Sequence, residues 1–519
     1  MTTAAPRAGT TAPAGHVHSD TEELLEGLAG HRDREALVHG DRRLTAGEVA
    51  DAAHRLARTL DGRVGPGSIV ALLAGNTPEA VIARWAVNLL GAGVTQPHEG
   101  LSAAAQARIV DDVDAALVLV DPPKLGIAER ILAAASSPVE VLGLGDTAGR
   151  FPDVLAEAAG ASAEPVTGRA RAADVQQIRH TGGTTGHPKG ITYTFGHHAR
   201  SADVRRHLSA LSAGAPPRML LATPVAHAGG GIADRMLTVG GSVVLQDEFE
   251  PGAFLAAVER ERITHSWLLP PLVYRLLDDP ALDTTDLSSL RTIVYGGAPA
   301  NPRRIAEAVE RIGPVLTQFY GQTEAGGISA LTAEEHAKPE LLETVGRVLP
   351  TTEIAIVGDD GEPVAAGERG ELWVRSGTEM DGYWKQPELT AETVRDGWVR
   401  TGDVAWQDDA GYLHLADRVK DMVVVVGGHV YTSELEDLLM EHPGVRQAAV
   451  FGAPDGDGTE AVHAAVVAGD SAPTGDELGE LVAERAGAMY VPRTISFVDV
   501  LPLTGIGKTD KKRLRAELV

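Results

Sequence analysis

From Ser68 onward, short apolar runs alternate with stretches of helical spacing, and no other feature narrows the choice of fold as much. Residues 69–73 are apolar throughout. Gly75-Asn76-Thr77-Pro78 then supplies a turn, an N-cap and a first-turn proline, and apolar residues recur at helical spacing over 78–90 before Gly91. Residues 116–120, a helical stretch over 124–135 and residues 139–144 repeat the pattern, as do 219–224, 242–245, 264–269 and 292–295. Strands with no polar face need cover on both sides, and intervening helices supply it. The expected class is α/β, a large N-terminal domain of layered, mostly parallel sheets with helices.

After about residue 346 the texture changes. Short runs at 354–357, 371–374 and 397–400 are punctuated by Asp/Gly turns, and Asp408-Asp409-Ala410-Gly411 is a hairpin signal. This stretch, about 346–420, reads as a small β-rich subdomain. Beyond Asp417 the pattern resets to a strand at 422–426, a helix at 433–441, strands at 447–451 and 462–467, and a helix at 476–486 leading to a short tail. The expected division is a flexible tail over 1–18, an N-terminal domain over 19–420 and a compact α+β C-terminal domain over 421–519.

Composition excludes whole classes of function. The 519 residues are 43% hydrophobic and 23% charged, enough to bury a core without staples. Lys+Arg 46 against Asp+Glu 72 leaves a formal charge of -26, which opposes nonspecific binding to nucleic acid or acidic membrane. A phosphate-bearing ligand must therefore be met by a local set of amides and cations. Cysteine is absent, which removes thiol catalysis, iron–sulfur clusters, cysteine zinc sites and disulfides. The start lacks the basic and apolar regions of a signal peptide, and the apolar stretch over 80–90 is broken by Arg84 and too short to span a bilayer. The expected compartment is the cytoplasm.

The segment Ile178-Arg179-His180-Thr181-Gly182-Gly183-Thr184-Thr185-Gly186-His187-Pro188-Lys189-Gly190 carries the most chemistry. Glycines let successive amides turn into one concavity, and hydroxyls and a lysine add donors to an anion held there. Gly-Thr runs also occur in plain surface loops; the strand-like approach and the Pro-Lys-Gly ending favour phosphate binding. Three look-alikes fail. Gly507-Lys508-Thr509 ends like a P-loop, but the required first glycine falls on Pro502. Gly229-Gly230-Gly231 lacks the third dinucleotide glycine, Asp234 standing in its place, and no Gly-x-Ser-x-Gly occurs. The pairs His16/His18 and His197/His198 lack partners at metal-ligand spacing and read as surface histidines.

Further segments join that loop. Tyr320-Gly321-Gln322-Thr323-Glu324-Ala325 puts an aromatic, a hydroxyl and a carboxylate at a strand's end; Trp406 lies just past Arg400-Thr401-Gly402-Asp403. Asp417-Arg418-Val419-Lys420-Asp421 sits where the texture resets, and Leu501-Pro502-Leu503-Thr504-Gly505-Ile506-Gly507-Lys508 brings a lysine near the end. Singly each has an ordinary reading: core aromatic, turn aspartate, solvated charge. In this order, from about Glu22 onward, they resemble the adenylate-forming superfamily of acyl- and aryl-CoA synthetases, peptide-synthetase adenylation domains and beetle luciferases.

That resemblance implies roles. Thr181, Gly182, Gly183, Thr184, Thr185, Gly186 and Lys189 match the loop over the ATP β- and γ-phosphates. Gly296, Gly297, Ala298 and Pro299 match the segment against adenine, and Tyr320 the aromatic stacked on it. Thr323 matches the α-phosphate contact, Glu324 the magnesium-associated carboxylate, and Asp403 the ribose-binding aspartate with Arg418 beside it. Asp421 matches the hinge of a mobile C-terminal domain, Lys508 the lysine bridging carboxylate and α-phosphate, and Gly427 and Gly428 the loop lining a thiol channel. His227 matches the aromatic position beside the acid's carboxylate. The implied substrates are ATP, with Mg²⁺, an aryl or fatty/acyl acid, and coenzyme A. A carboxylate attacks the α-phosphorus, pyrophosphate leaves, and the acyl-AMP passes to a thiol.

Ala228 and three glycines follow His227, where amino-acid-activating relatives place an aspartate nearby, so an α-amino acid is disfavoured; Asp234 is displaced. Ala228 also differs from the asparagine of dihydroxybenzoate-activating relatives. No carrier domain follows Lys508, so a stand-alone ligase is expected, as a monomer or homodimer without nucleic-acid or membrane partners. After coenzyme A the acceptors in order are a separate carrier protein, an amine, and nitrite for N–N bond formation. Thr432, where thioester-forming relatives commonly carry proline, weakens the coenzyme A assignment. Two other classes compete: a nucleotide-binding regulator without catalysis, which Lys508, Glu324, Asp403 and Arg418 argue against, and an oxidative luciferase-like enzyme.

Overall fold

The computed structural model describes residues 15–97, 101–136, 138–181, 189–200, 216–358, 360–418, 423–425, 428–455, 460–469, 471–504 and 507–519. It comprises two compact units, Met1–Phe249 with Met380–Thr390, and Glu250–Glu379 with Ala391–Val519.

In the first unit the apolar runs are strands, as their lack of a polar face requires. Ile69–Leu73 and Leu117–Val120 are buried at every residue. They lie in a seven-stranded sheet ordered Gly382–Tyr383, Lys189–Thr194, Val175–Thr181, Gly93–Thr95, Ile69–Leu73, Leu117–Val120, Glu140–Gly143. The last five are parallel, and the first two are added antiparallel at one edge. The helix after Ile69–Leu73 starts as its sequence predicts: Thr77 accepts from the Ala80 amide and Pro78 is the first helical residue of Pro78–Leu89. A second group of strands runs Arg218–Leu221, Ser242–Leu245, Glu35–His39, Arg42–Thr45, with only the final pair antiparallel.

The chain is anchored earlier than the tail expected over 1–18. The Val17 amide donates to the Ala170 carbonyl at 2.9 Å, and His16 bridges to Arg171. The cause lies next door, where Ser19 and Glu22 form a reciprocal capping box that starts the helix Asp20–Ala29. His16 also pairs with Glu22 at 3.2 Å and is half-buried, so it is a structural histidine.

In the second unit His265–Leu268, Thr292–Gly296 and Leu316–Gln322 are parallel, and Gly326–Leu331 and Arg347–Val348 continue antiparallel. The β-rich stretch is a five-stranded antiparallel sheet built from Glu353–Val357, Gly370–Arg375, Val394–Arg395, Trp398–Gln407 and Leu413–Arg418. The turn at 408–411 closes with Gly411 N–H on the Asp408 carbonyl and Tyr412 N–H on the Asp408 carboxylate. The strand expected at 397–400 runs on to Gln407.

Past the hairpin Val423–Val425/Gly428–Val430 come the helix Thr432–Met440, the strands Val445–Pro454 and Glu460–Ala468, and the helix Gly475–Arg485. The short tail expected after residue 486 is in fact structured. Thr494–Phe497 adds to the sheet parallel to Glu460–Ala468, and Lys511–Leu518 is a helix. That helix is mostly charged; only Leu514, buried with Phe451 and Leu501, and the partly buried Leu518 one turn on give it an apolar face, so its sequence carries a short amphipathic signal. Among the described residues no helix is long and apolar enough to cross a membrane.

Candidate active site

The expected site residues fall in both units. In the second, the strand Leu316–Gln322 ends in residues that converge on Asp403. Tyr320 and Gln322 are two apart and so face the same side of the strand. The Tyr320 hydroxyl donates to Asp403 Oδ2 at 2.5 Å, and Gln322 Nε2 donates to the same oxygen at 2.6 Å and to the Thr401 carbonyl at 3.0 Å. Asp403 is 5% exposed, so these bonds form where water cannot compete and each is charge-assisted. The Asp403 amide donates to Thr401 Oγ1, whose hydroxyl donates to the Leu372 carbonyl, fixing the aspartate's backbone as well. Arg418 pairs with Asp403 through its backbone across the ladder; its side chain lies outside the described residues.

Thr323 and Glu324 occupy the tight turn between the antiparallel strands, where Gln322 pairs with Gly326. The turn needs glycine at its end. Gly326 has φ +73, and a Cβ there would stand 2.0 Å from Thr378 Oγ1. The Ser376 hydroxyl donates to the Ala325 carbonyl at 2.6 Å and pins the turn from outside. Both Thr323 and Glu324 are half-buried. A hydroxyl and a carboxylate on one turn are hard oxygen donors, the kind a magnesium ion takes together with phosphate oxygens.

Gly296 closes the strand Thr292–Gly296, and Gly297, Ala298 and Pro299 lead to Asn301. Asn301, which the sequence reading does not single out, anchors the end of this segment. Its Oδ1 caps the helix Pro302–Ile312 through the Arg304 amide, while Nδ2 donates to Asp437 at 2.8 Å. Lys508 is exposed on a loop closed by Gly507 N–H on the Thr504 carbonyl and Lys508 N–H on Thr504 Oγ1. A Cβ on Gly507 would lie 3.8 Å from both Leu269 and Leu272, so the loop runs beside the start of the helix Pro270–Leu277.

In the first unit Thr181 ends one strand and Lys189 begins the next, and the two pair directly. The phosphate-loop candidate is thus the connection of an antiparallel hairpin. Lys189 Nζ stands 5.4 Å from the Tyr383 ring centre. Behind Thr181, His180 is buried and its Nδ1 lies 3.0 Å from Thr95 Oγ1. Burial pushes its pKa down to about 4, so the ring is neutral near pH 7. Gly182, Gly183, Thr184, Thr185, Gly186, Asp421 and Gly427 lie outside the described residues; Gly428 begins the strand paired to Val425.

His227 is half-buried at the N-cap position of the helix Ala228–Thr238. Its amide donates to the Pro224 carbonyl and its carbonyl accepts from Gly230. Gly230 permits a close approach: a Cβ there would meet the Val225 carbonyl at 1.8 Å. Asp234 is committed elsewhere, since Arg84 grips it with two bonds of 2.7 and 2.8 Å and the Trp85 indole adds a third at 3.2 Å. An aspartate so neutralised is a poor partner for a substrate ammonium.

The AMP-binding enzyme family matches residues 25–384, and the C-terminal domain of AMP-binding enzymes matches 434–508. A medium/long-chain-fatty-acid–CoA ligase of Mycobacterium tuberculosis, FadD8, is 36% identical over 95% of this chain and 89% of its own. A feruloyl-CoA synthase from an Amycolatopsis species is 36% identical over 92% of this chain and 95% of its own. The amide bond synthetase McbA of Marinactinospora thermotolerans superposes with a TM-score of 0.87 at 39% identity, covering 96% of this chain and 100% of that one.

Proposed function

The chain belongs to the AMP-binding enzymes, and from that premise we propose that it is an ATP-dependent, AMP-forming ligase that activates a carboxylic acid as acyl-AMP and passes the acyl group to a thiol, coenzyme A first among them. The observation that carries this reading is the set around Asp403. A buried carboxylate held by Tyr320 and Gln322 is pre-organised to accept from vicinal ribose hydroxyls, beside a turn that offers Thr323 and Glu324 to phosphate and metal.

Each residue has a definite task in this proposal. Tyr320 and the Gly296–Pro299 segment hold adenine, Asp403 with Arg418 holds the ribose, and Thr181 and Lys189 bound the loop that orients the leaving pyrophosphate. Thr323 meets the α-phosphate. Glu324 would help hold Mg²⁺, which when bound supplies charge neutralisation. Lys508 donates to the attacking carboxylate and the α-phosphate oxygen together, offsetting the repulsion between two anions in the transition state. The C-terminal domain, 421–519, turns about Asp421 between half-reactions, removing Lys508 and presenting Gly427 and Gly428 to the thiol. The acid is aryl or fatty rather than an α-amino acid, consistent with the engagement of Asp234 by Arg84. ATP and coenzyme A as substrates put the enzyme's work in the cytoplasm.

A second reading, an amine acceptor, is favoured by the 39% identity to an amide bond synthetase over nearly the whole chain. Thr432 agrees with it. Its hydroxyl accepts from Lys511 Nζ at 2.9 Å, and that lysine also pairs with Glu436 at 2.7 Å, so a part-buried polar link stands where thioester-forming relatives commonly carry proline. The test is acid-dependent ATP–pyrophosphate exchange across a broad acid panel, then mass spectrometry of products with coenzyme A, a carrier protein, amines and nitrite. Exchange with no acid would remove the ligase reading; an amide with no thioester would select the second.

A further inference from the structure

The turn Gly75-Asn76-Thr77 follows a strand of one sheet, yet its central side chain is spent on another. Asn76 is 4% exposed. Its Nδ2 donates to the Thr223 carbonyl at 3.0 Å and to the Gln246 carbonyl at 2.8 Å, while its Oδ1 accepts from the Val225 amide at 2.9 Å. Two carbonyls and one amide as partners fix which end of the side chain is oxygen. Thr223 and Gln246 lie just past the ends of the neighbouring strands Arg218–Leu221 and Ser242–Leu245.

The clamp is itself braced. Asp121 Oδ2 accepts from the Gly75 amide at 2.9 Å and from the Thr77 hydroxyl at 3.0 Å, one bond on each side of Asn76. The clamped segment contributes little of its own: Pro224 has no amide hydrogen, and the buried Thr223 hydroxyl has no partner among the described residues. Pro224 then accepts from the His227 amide, and His227 is the N-cap residue of the following helix. A path of main-chain bonds thus runs from Asn76 through 223–225 to His227, a few residues in length.

We infer that Asn76 is a positioning residue for the acid: its carboxamide sets the course of residues 223–227 and hence the placement of His227 beside the substrate carboxylate. This rests on the proposed reading of His227 as the residue that guards the acid, and it adds a control point on a different strand, far away in sequence. Asn76 touches no reacting atom in this account. Its effect reaches the acid alone, because the clamped bonds belong to the segment leading to His227 and not to Tyr320, Thr323 or Asp403.

The test is pyrophosphate exchange on the full chain, varying acid and ATP separately, for the wild type, Asn76→Ala and the isosteric Asn76→Asp, which turns a donor into an acceptor facing two carbonyls. The inference expects the acid KM to rise about tenfold or more, with the ATP KM within about twofold of wild type. Equal rises for both substrates, or an unchanged acid KM, would overturn it. Hydrogen exchange on the wild type supplies an arm that needs no variant: the Val225 amide must be protected, and rapid exchange there would also sink the inference. A wild type without acid-dependent exchange overturns the functional reading beneath it, and that result is visible before any variant is made.

Discussion

The proposed nucleotide side and the proposed acid side of this protein are built in opposite ways. Around Asp403, side chains bond to side chains: Tyr320 and Gln322 both donate to one carboxylate oxygen, and the residues that shape the site are those the proposal assigns to the ligand. Over 223–231 small and apolar residues surround His227, with Thr223, Pro224 and Val225 leading into Ala and Gly, and a distant carboxamide on residue 76 holds the backbone of Thr223 and Val225. The difference has a physical logic. ATP is invariant, so its contacts can be written into fixed side chains. An acid pocket must vary in shape, and a smooth small-residue wall on a rigid clamp varies at little cost to the fold.

The sharpest way to break this comparison is at Lys508, exposed on its loop. Lys508→Ala is expected to cut adenylation by about a hundredfold or more, because a charge that counters two anions in the transition state is lost. Consumption of supplied acyl-AMP should fall far less, since in the proposed cycle that step uses the rotated domain. Equal losses in both half-reactions, measured by pyrophosphate exchange and by thioester formation from acyl-AMP, would remove the assigned role.

Next in size is the nucleotide side itself. Asp403→Ala should raise the ATP KM by about thirtyfold, and Gln322→Ala by about fivefold, since Tyr320 still holds the carboxylate in the second variant. The acid KM should stay near wild type in both. A matching rise in the acid KM would show that the two sides are not independently built, which is the point of the comparison.

How much of this was legible before the structure follows the same divide. The buried strands 69–73 and 117–120 are readable because a run with no polar residue has few other ways to be satisfied. The turn at 320–325 is readable as an ordered motif, and strand periodicity puts Gln322 on the face of Tyr320, but its bond to Asp403 joins residues far apart in sequence. The helix Lys511–Leu518 was missed because it is short and mostly charged, its apolar face consisting of Leu514 and Leu518 alone. The hairpin Glu35–His39/Arg42–Thr45 and the helix Ala46–Leu60 were passed over although Thr45 and Glu48 form a capping box. Asn76 looked like turn punctuation. Nothing local to an asparagine after a strand announces that its partners lie at residues 223, 225 and 246. Motifs reveal residues that meet a constant ligand, while long-range clamps become visible only in three dimensions.

The smallest expected effect concerns stability, and it asks whether the packing of Thr432–Met440 against Asn301 is as independent of charge as the Asn76 clamp. Burial pushes the Asp437 carboxyl up from 3.8 to about 7, helped by the negative charges of Glu436, Glu343 and Glu434 and opposed by the Asn301 amide. A group that binds its proton more tightly when folded stabilises the fold fully below its free value of 3.8, and that contribution is lost as pH rises through about 7. Asp437→Asn removes the titration while keeping an oxygen for Asn301. Because Asp437 keeps some solvent contact, the gain above pH 7 should be about 1 kcal/mol or less. Thermal unfolding at pH 5, 6, 7 and 8 checks it: the wild type should lose Tm relative to the variant across this range. Parallel curves would mean that the carboxylate is relieved by solvent, and that this contact is as insensitive to pH as the carboxamide clamp on the acid side.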